Sequence, residues 1–302
     1  MEEYELIIVG SGPAGLSAAI YAARYKIKTL VIGWQIGGMA AEASKICNFP
    51  SYKKISGTEL MRKMKEHAED LGIEIKNDFV LSIERINSLF KVKTNSAEYK
   101  AKKIILATGT EKRKLHLENE DKFLGKGISY CAICDAPFFK NKVVGVVGGA
   151  NSALSAALLL SKFANKVYII YRRDKFFRAE PRLVEEVEKN EKIEPIFNAN
   201  VVELIGEDKL EEVRLDNGKK LKLDGLFIEI GIVPNLELAE KLGVELENGY
   251  IKVDKEQRTN IKGVFAAGDV TNCPLKQIIV ACSQGAIAAS SVYKELKEEL
   301  LK

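Results

Sequence analysis

The sequence predicts an α/β protein with two Rossmann-like nucleotide-binding domains. Two glycine-rich loops, at residues 10–15 and 148–153, each follow a short apolar run and precede helix-forming residues. This order of strand, glycine turn and helix is the pattern of a dinucleotide-binding βαβ unit. Between the loops lie Cys131 and Cys134, separated by two residues and followed by Asp135. Two cofactor loops with a cysteine pair between them indicate electron transfer through a disulfide.

The length and composition fit an enzyme of two domains. The 302 residues exceed one typical α/β domain, and 46% hydrophobic residues can fill two cores. No apolar run approaches the length of a membrane helix, and the start of the chain lacks the basic leader of a secretory signal. The net charge of +4 is spread over alternating Lys and Glu. We therefore expect a cytoplasmic enzyme that binds neither membranes nor nucleic acid.

Five cysteines are an odd number for a structural disulfide framework in a chain of this size. A closed zinc site is the first alternative use, but it needs about four ligands. Cys47, Cys273 and Cys282 are scattered along the chain, and the two histidines show no ligand spacing. We expect no metal, a redox role for Cys131 and Cys134, and core positions for the other three cysteines.

The first fifty residues predict one complete βαβ unit. Its elements are a strand at residues 5–9, a helix at about 13–25 and a strand at 29–32. Gly10 permits the tight turn, Gly12 lets the backbone approach a pyrophosphate, and Gly15 permits close packing of helix on strand. The helix begins at Pro13 and Ala14, and its N-terminus offers N–H groups and a dipole to the phosphates.

The second strand of this unit does not end in the acidic residue that usually binds the adenosine ribose. The sequence continues instead as Gly33, Trp34 and Gln35. Either Gln35 or backbone groups must contact the ribose there, or the ribose is held less tightly. The pair Gly37 and Gly38 indicates a backbone that passes close to a ligand, although an ordinary loop turn gives the same pattern.

The second unit repeats the plan of the first. Its elements are a strand at residues 142–147, a helix at about 152–163 and a strand at 166–170. Arg172 and Arg173 follow this last strand. A guanidinium there can pair bidentately with the 2′-phosphate of NADPH, whereas a carboxylate would repel it. The arginines favour NADPH over NADH, and a solvated surface pair is the alternative.

Near the C-terminus, the apolar run at residues 263–267 ends in Gly268 and Asp269. A helix with small residues along one face is predicted from about Lys276. From the residues alone, Asp269 could be a turn or capping residue.

These motifs together resemble the low-molecular-weight, FAD-dependent thioredoxin reductases, and the match covers essentially the whole chain. The resemblance also rests on residues 48–50 (NFP), 107–109 (ATG), 231–235 (GIVPN) and 276–278 (KQI). It implies FAD contacts from Gly10, Gly12, Pro13, Ala14, Gly15, Gly33, Gly37, Gly38, Met39, Asn48, Thr108, Gly109, Gly268, Asp269, Gln277 and Ile278. It implies NADPH contacts from Gly148, Gly149, Ala150, Asn151, Ser152, Arg172, Arg173 and Arg178.

The resemblance also implies the domain order and the chemistry. Residues 1–112 and 238–302 would form the FAD domain, with the nicotinamide domain inserted at 113–237. Both domains would be of the three-layer ββα type. The insert would rotate about its two connections, because its disulfide and its nicotinamide must take turns at one flavin. Cys134 would receive electrons from the flavin, Cys131 would attack the disulfide of a thioredoxin or glutaredoxin-like partner, and Asp135 would manage the thiol proton. A homodimer is also implied.

Four departures from the family pattern stand out. Ala150 takes the place of the glycine that usually lets the pyrophosphate approach, and Tyr171 replaces a histidine. The pair Phe176 and Phe177 lengthens the approach to Arg178 by one residue, and Met39 replaces a glutamine. These departures leave open whether NADPH or NADH binds better.

Two alternative functions remain open at this stage. A disulfide reductase could take electrons from ferredoxin or another carrier, with Ala150 marking a degraded nicotinamide site. A flavin redox sensor or scaffold could use the cysteine pair to signal without turnover. Phe138 and Phe139, after the cysteine pair, are either a docking surface for thioredoxin or buried aromatics.

Overall fold

The computed structural model describes residues 2–43 and 46–301. The chain divides into two compact units: unit 1 comprises residues 1–111 and 234–302, and unit 2 comprises residues 112–233. The chain passes from one unit to the other within β7 (Thr110–Lys112) and β16 (Ile232–Pro234). Which nucleotide each unit binds stays a prediction at this point.

Unit 1 is built on a seven-stranded sheet with the order β3-β2-β1-β6-β5-β4. The seventh strand, β19, pairs with the C-terminal part of β6, on the edge whose N-terminal part pairs with β5. The strands are β1 (Glu2–Val9), β2 (Thr29–Ile32), β3 (Glu74–Lys76), β4 (Val80–Ile86), β5 (Leu89–Thr94), β6 (Glu98–Leu106) and β19 (Val264–Ala266). The pairs among β1, β2, β3, β6 and β19 are parallel, and β4 and β5 form an antiparallel meander. The end of β1 is apolar on both faces because both faces of the parallel part are covered.

Three helices of unit 1 cover one face of this sheet, and the short helix at Glu237–Lys241 packs on the other face. The helices of unit 1 are α1 (Pro13–Arg24), α2 (Gly57–Asp70), α7 (Glu237–Lys241) and α8 (Ile278–Leu300), with a 3-10 helix at Gly38–Glu42. Ala18 of α1 and Ala288 of α8 pack with Leu6 and Ile8 in one apolar cluster. Residues of the meander, such as Phe90, pack in a second cluster on the other face of the sheet, and a two-stranded hairpin, β17 (Leu246–Glu247) and β18 (Tyr250–Ile251), completes the unit. This arrangement confirms the predicted Rossmann-like architecture.

Unit 2 contains a five-stranded parallel sheet with the order β11-β10-β9-β15-β8. The strands are β8 (Ile128–Ser129), β9 (Val143–Val147), β10 (Lys166–Tyr171), β11 (Ile193–Phe197) and β15 (Gly225–Ile228). A separate antiparallel sheet is formed by β12 (Val201–Ile205), β13 (Glu212–Leu215) and β14 (Lys220–Lys222). The helices are α3 (Glu120–Phe123), α4 (Ala132–Asp135), α5 (Asn151–Leu160) and α6 (Pro181–Glu188), with a 3-10 turn at Ala136–Phe139.

The structure corrects several predicted positions. Helix α8 begins at Ile278, because Gln277 before it has extended backbone angles. The three cysteines outside the pair are not core residues: Cys47 is exposed, and Cys273 and Cys282 are half-buried. Burial nevertheless raises the pKa of the Cys282 thiol to about 11. No helix within residues 2–43 and 46–301 is long and apolar enough to cross a membrane.

Candidate functional site

Cys131 and Cys134 of unit 2 form a disulfide bond. Strand β8 leads directly to this pair, and Cys131 is the N-cap of the short helix α4, so that the Cys134 N–H donates to the Cys131 Sγ at 3.2 Å. The Cys131 N–H donates to the Ser129 Oγ at 2.9 Å. Cys131 is half-buried and Cys134 is exposed, so the pair lies at the surface of unit 2.

The residue before the pair is held from two sides. The Tyr130 hydroxyl donates to Glu120, whose carboxylate also accepts from the N–H groups of Leu115 (2.9 Å) and Leu117 (3.2 Å). The Lys112 Nζ donates to the Tyr130 carbonyl oxygen. Burial, together with the Glu120 carboxylate, raises the pKa of the Tyr130 hydroxyl, which stays protonated and keeps donating. Sequence reasoning missed Glu120, because an acidic residue in the first turn of a helix is usually solvated.

The residues after the pair separate into exposed and buried positions. The Asp135 N–H donates to the Cys131 carbonyl at 3.1 Å, and the Asp135 side chain is half-buried. Phe138 is 73% exposed, whereas Phe139 is buried and packs edge-on against Phe227 with ring centroids 5.1 Å apart. Phe139 is therefore a core residue, whereas a docking role for the exposed Phe138 stays a prediction.

The first glycine loop, between β1 and α1 in unit 1, has the geometry of a phosphate cradle. Gly10 has φ +116°, and a Cβ there would lie 2.1 Å from the Ala107 carbonyl oxygen. A Cβ on Gly15 would lie 1.8 Å from the Gly10 carbonyl oxygen. Gly12 is different, because the nearest atom to its Cβ position is the Gly37 carbonyl oxygen at 3.9 Å. The space in front of Gly12 is open, and no side chain caps the N-terminus of α1, so a pyrophosphate fits there.

The segment after β2 is tied to this loop by hydrogen bonds. The Ser11 Oγ donates to the Gln35 carbonyl at 3.1 Å, and the Gly37 N–H donates to the Ser11 carbonyl at 2.8 Å. Gly37 has φ +88° and Gly38 has φ +53°, conformations that favour glycine. These angles place a glycine turn beside Gly12, and the approach of a ligand to this backbone stays a prediction. Met39 accepts a hydrogen bond at its sulfur from the Thr110 hydroxyl at 3.4 Å.

The Gly268-Asp269 corner lies between β19 and α8. Gly268 has φ +84°, and its N–H donates to the Gln284 Oε1 of α8 at 2.8 Å. Burial raises the pKa of the Asp269 carboxyl, and the positive charge of Lys276 acts against this shift. Burial lowers the pKa of Lys276, whose Nζ donates to the Thr271 carbonyl. The corner thus presents a half-buried carboxylate, the group type that accepts hydrogen bonds from ribitol hydroxyls.

Two contacts bring distant predicted residues of unit 1 together. The Asn48 amide donates to the Gln277 Oε1 at 2.8 Å, across 229 positions of sequence. The Thr108 hydroxyl donates to the Asn235 carbonyl, and the Asn235 amide donates back to the Thr108 carbonyl, both at 2.9 Å. Gly109 follows with φ +65° and an open Cβ position. Asn235 ends the motif at residues 231–235, but its contact with Thr108 had no signal in the sequence.

The second glycine loop, between β9 and α5 in unit 2, is tightest at its first two residues. A Cβ on Gly148 would lie 2.2 Å from the Glu229 carbonyl oxygen, and a Cβ on Gly149 would lie 2.5 Å from the Tyr171 ring. Ala150 is the N-cap of α5 with extended backbone angles and pairs with Arg178 in an isolated β-bridge. The methyl group of Ala150 therefore occurs at a position without backbone strain.

The predicted arginines of unit 2 are all exposed. Two of them share one aromatic ring: the guanidinium carbon of Arg173 lies 4.4 Å from the Phe177 centroid, and that of Arg178 lies 5.5 Å from it. Asn151, at the start of α5, and Glu180, the N-cap of α6, hydrogen-bond to each other. The Asn151 amide donates to the Glu180 carboxylate at 2.9 Å, and the Glu180 N–H donates to the Asn151 Oδ1 at 2.7 Å. Phe177, in the segment that is one residue longer than the family pattern, thus holds two guanidinium groups near its ring by cation–π contacts.

A profile of the pyridine nucleotide-disulphide oxidoreductase family matches residues 4–285 of this chain. The chain belongs to this family. The thioredoxin reductases of this family use FAD and NADPH. Both cofactors are dinucleotides, the ligand class that glycine loops of this kind bind.

Several relatives that match this chain over its full length are named thioredoxin reductases. The thioredoxin reductase of Bacillus subtilis is 39% identical over 308 residues, covering 99% of this chain and 97% of the relative. The crystal structure of the Lactococcus lactis thioredoxin reductase has a TM-score of 0.92 and 40% identity, over 98% of this chain and 99% of that one. The crystal structure of T. acidophilum thioredoxin reductase has a TM-score of 0.89 and 36% identity, over 98% of this chain and 100% of that one. The resemblance inferred from the motifs is confirmed.

Proposed function

We propose that this enzyme passes electrons from NADPH through FAD and the Cys131–Cys134 disulfide to thioredoxin or a thioredoxin-like protein. The disulfide itself is the observation that carries the proposal. It is closed, it lies at the surface of unit 2, and it belongs to a chain with two dinucleotide cradles. The full-length similarity to thioredoxin reductases supports the choice of partner.

Unit 1 is the proposed FAD domain, because its cradle at Gly12 and the carboxylate of Asp269 suit the pyrophosphate and the ribitol. The remaining FAD contacts are those assigned from the sequence, including Asn48 and Gln277, which the fold brings together. Unit 2 is the proposed NADPH domain, with the loop at Gly148 for the pyrophosphate and the arginines for the 2′-phosphate.

Bound FAD supplies two-electron transfer between the nicotinamide and the disulfide. The reduced pair holds two thiols, and Asp135 is the proposed group that accepts the Cys131 proton. The Cys131 thiolate attacks one sulfur of the partner disulfide, which forms a mixed disulfide and releases the other partner sulfur as a thiol. Cys134 then attacks the Cys131 sulfur, which restores the enzyme disulfide and releases the second partner thiol. The partner gains two electrons and two protons, and the enzyme pair loses them.

Anaerobic titration of the purified enzyme tests this function. The preparation should contain about one FAD per chain, NADPH should bleach the flavin absorbance, and added thioredoxin should restore it. A preparation that does not take up FAD would overturn the flavin assignment. A flavin that NADPH leaves oxidised and that another reduced carrier bleaches would show that electrons enter from a different donor.

A homodimer in the cytoplasm is the proposed state and location. The resemblance to the thioredoxin reductase family implies the homodimer, and a thiol pair that must cycle needs a compartment with reducing equivalents. Sedimentation equilibrium of the purified enzyme checks the oligomeric state.

Replacing Arg172 and Arg173 by Ala should raise KM for NADPH much more than KM for NADH. Only NADPH has the 2′-phosphate with which these guanidinium groups pair. An expected loss of about 1.5–3 kcal/mol for charged hydrogen bonds corresponds to about 10- to 150-fold in KM for NADPH. Equal effects on both nucleotides would mean that the arginines are a solvated pair. Arg182→Ala, on the exposed face of α6, is the matched control.

Ala150→Gly should leave NADPH affinity unchanged or improve it. Ala150 has ordinary extended backbone angles, so the substitution removes a methyl group beside the pyrophosphate without relieving strain. Ala150→Val should weaken binding, because it adds volume at the same place. Calorimetric titration of each variant with NADPH measures the effect, and a large loss of affinity in Ala150→Gly would mean that the loop binds its ligand in another way.

A further inference from the structure

Trp34 is the only tryptophan of the chain, and it is 68% exposed. Exposure alone does not define a site, because single apolar side chains are common on protein surfaces. The position of Trp34 is more informative. It lies two residues beyond the end of β2, at the carboxyl edge of the parallel sheet where open α/β folds bind their ligands.

The backbone on both sides of Trp34 is anchored. In the orientation that satisfies both of its polar atoms, the Asn77 amide donates to the carbonyl oxygens of Gly33 at 3.1 Å and Trp34 at 2.5 Å. On the other side, the Ser11 hydroxyl of the first glycine loop donates to the Gln35 carbonyl at 3.1 Å. The indole is therefore displayed from a fixed backbone beside the proposed pyrophosphate cradle.

The carboxyl edge of the sheet lacks the acidic residue that is common after the second strand of such folds. An acidic residue at the end of the second strand usually binds the adenosine ribose, and this chain has Gly33, Trp34 and Gln35 there. The adenine base is attached to that same ribose. Aromatic side chains bind bases by stacking, and an exposed indole on an anchored backbone offers a large flat surface for this.

We propose that the Trp34 indole stacks on the adenine ring of FAD and replaces the ribose carboxylate as the residue that holds the adenosine half of the cofactor. This inference rests on the proposed function, because it takes unit 1 to be the FAD domain. It adds a specific contact for the half of FAD that takes no part in electron transfer.

The first experiment measures FAD affinity for the full chain after removal and readdition of FAD. Trp34→Ala should weaken FAD binding about tenfold or more, as expected for loss of one base stack. Trp34→Phe should stay within about threefold of wild type, since it keeps an aromatic face. Tyr21→Ala is the matched control, because it removes an exposed ring of unit 1 from the middle of α1. Unchanged FAD affinity in Trp34→Ala would overturn the proposal.

The second experiment needs no variant, so it decides the question even if Trp34→Ala folds poorly. ADP contains the adenosine half of FAD and has no flavin to accept energy from the indole. ADP that displaces FAD should quench or shift the emission of the single tryptophan. An unchanged emission at saturating ADP, or no displacement of FAD by ADP, would overturn the adenine contact.

The two proposals fail in different ways. A wild-type chain that takes up no FAD would overturn both. A chain that binds FAD but does not reduce thioredoxin would overturn only the proposed function, and an unaltered tryptophan signal with bound ADP would overturn only the role of Trp34.

Discussion

Cys131→Ser and Cys134→Ser should each abolish thioredoxin reduction while leaving reduction of the flavin by NADPH intact. The hydride step involves no sulfur, whereas the two electrons delivered to thioredoxin pass through both sulfurs of the disulfide. Turnover should fall by more than about a thousandfold in either variant, as expected when one member of a covalent relay is removed. Stopped-flow measurement of flavin bleaching and steady-state thioredoxin reduction record the two steps separately.

Cys47→Ser provides the matched control for this experiment. Cys47 is an exposed free cysteine outside the disulfide, so its replacement should leave both steps unchanged. Near-wild-type thioredoxin reduction by either disulfide variant would mean that electrons leave the flavin by another route. Loss of flavin bleaching in both variants would mean that the cysteine pair shapes the nicotinamide site rather than the thiol relay.

The glycine loops were predictable because their requirements are local. Gly10 needs a positive φ, and Gly15 must leave room for the Gly10 carbonyl oxygen a few residues away. The strands β1 and β2 were equally visible, because strands of a parallel sheet covered on both faces are continuously apolar. Helix ends were less predictable, because capping depends on backbone angles such as those of Gln277.

The parts that escaped prediction depend on contacts between loops that are far apart in sequence. Glu120 accepts from Tyr130 and fixes the residue before the disulfide, and Gln284 accepts from the Gly268 N–H. Neither residue belongs to a spacing pattern, because a side chain that satisfies a distant backbone group leaves no period in the sequence. Cys47 was wrongly placed in the core for a related reason: burial of a lone cysteine depends on its neighbours in space.

Alanine substitutions at Gly12 and Gly285 should have different effects, one on FAD affinity and the other on the stability of the fold. Gly12 is the N-cap of α1 and Gly285 of α8 packs against α1, but the space around the two residues differs. A Cβ on Gly285 of α8 would lie 2.1 Å from the Ala14 carbonyl oxygen of α1, a backbone atom that cannot move aside alone. A Cβ on Gly12 would meet nothing closer than 3.9 Å, and its φ of −79° suits alanine.

We therefore expect Gly285→Ala to push α8 away from α1 and to lower the stability of the FAD-free chain by about 1–3 kcal/mol.

Gly12→Ala should lower the stability of the FAD-free chain by at most about 1 kcal/mol, the scale of a changed N-cap. Its methyl group would instead fill the space proposed for the pyrophosphate and weaken FAD binding by about 1–3 kcal/mol, or about 5- to 150-fold. Thermal unfolding of the FAD-free variants and FAD titration measure the two quantities independently. Wild type is the reference for both variants. A surface glycine such as Gly72 cannot serve as a neutral control, because its φ of +85° would strain an alanine. If Gly12→Ala kept wild-type FAD affinity, the pyrophosphate would not approach the backbone at Gly12, and the phosphate cradle would have to lie elsewhere in unit 1.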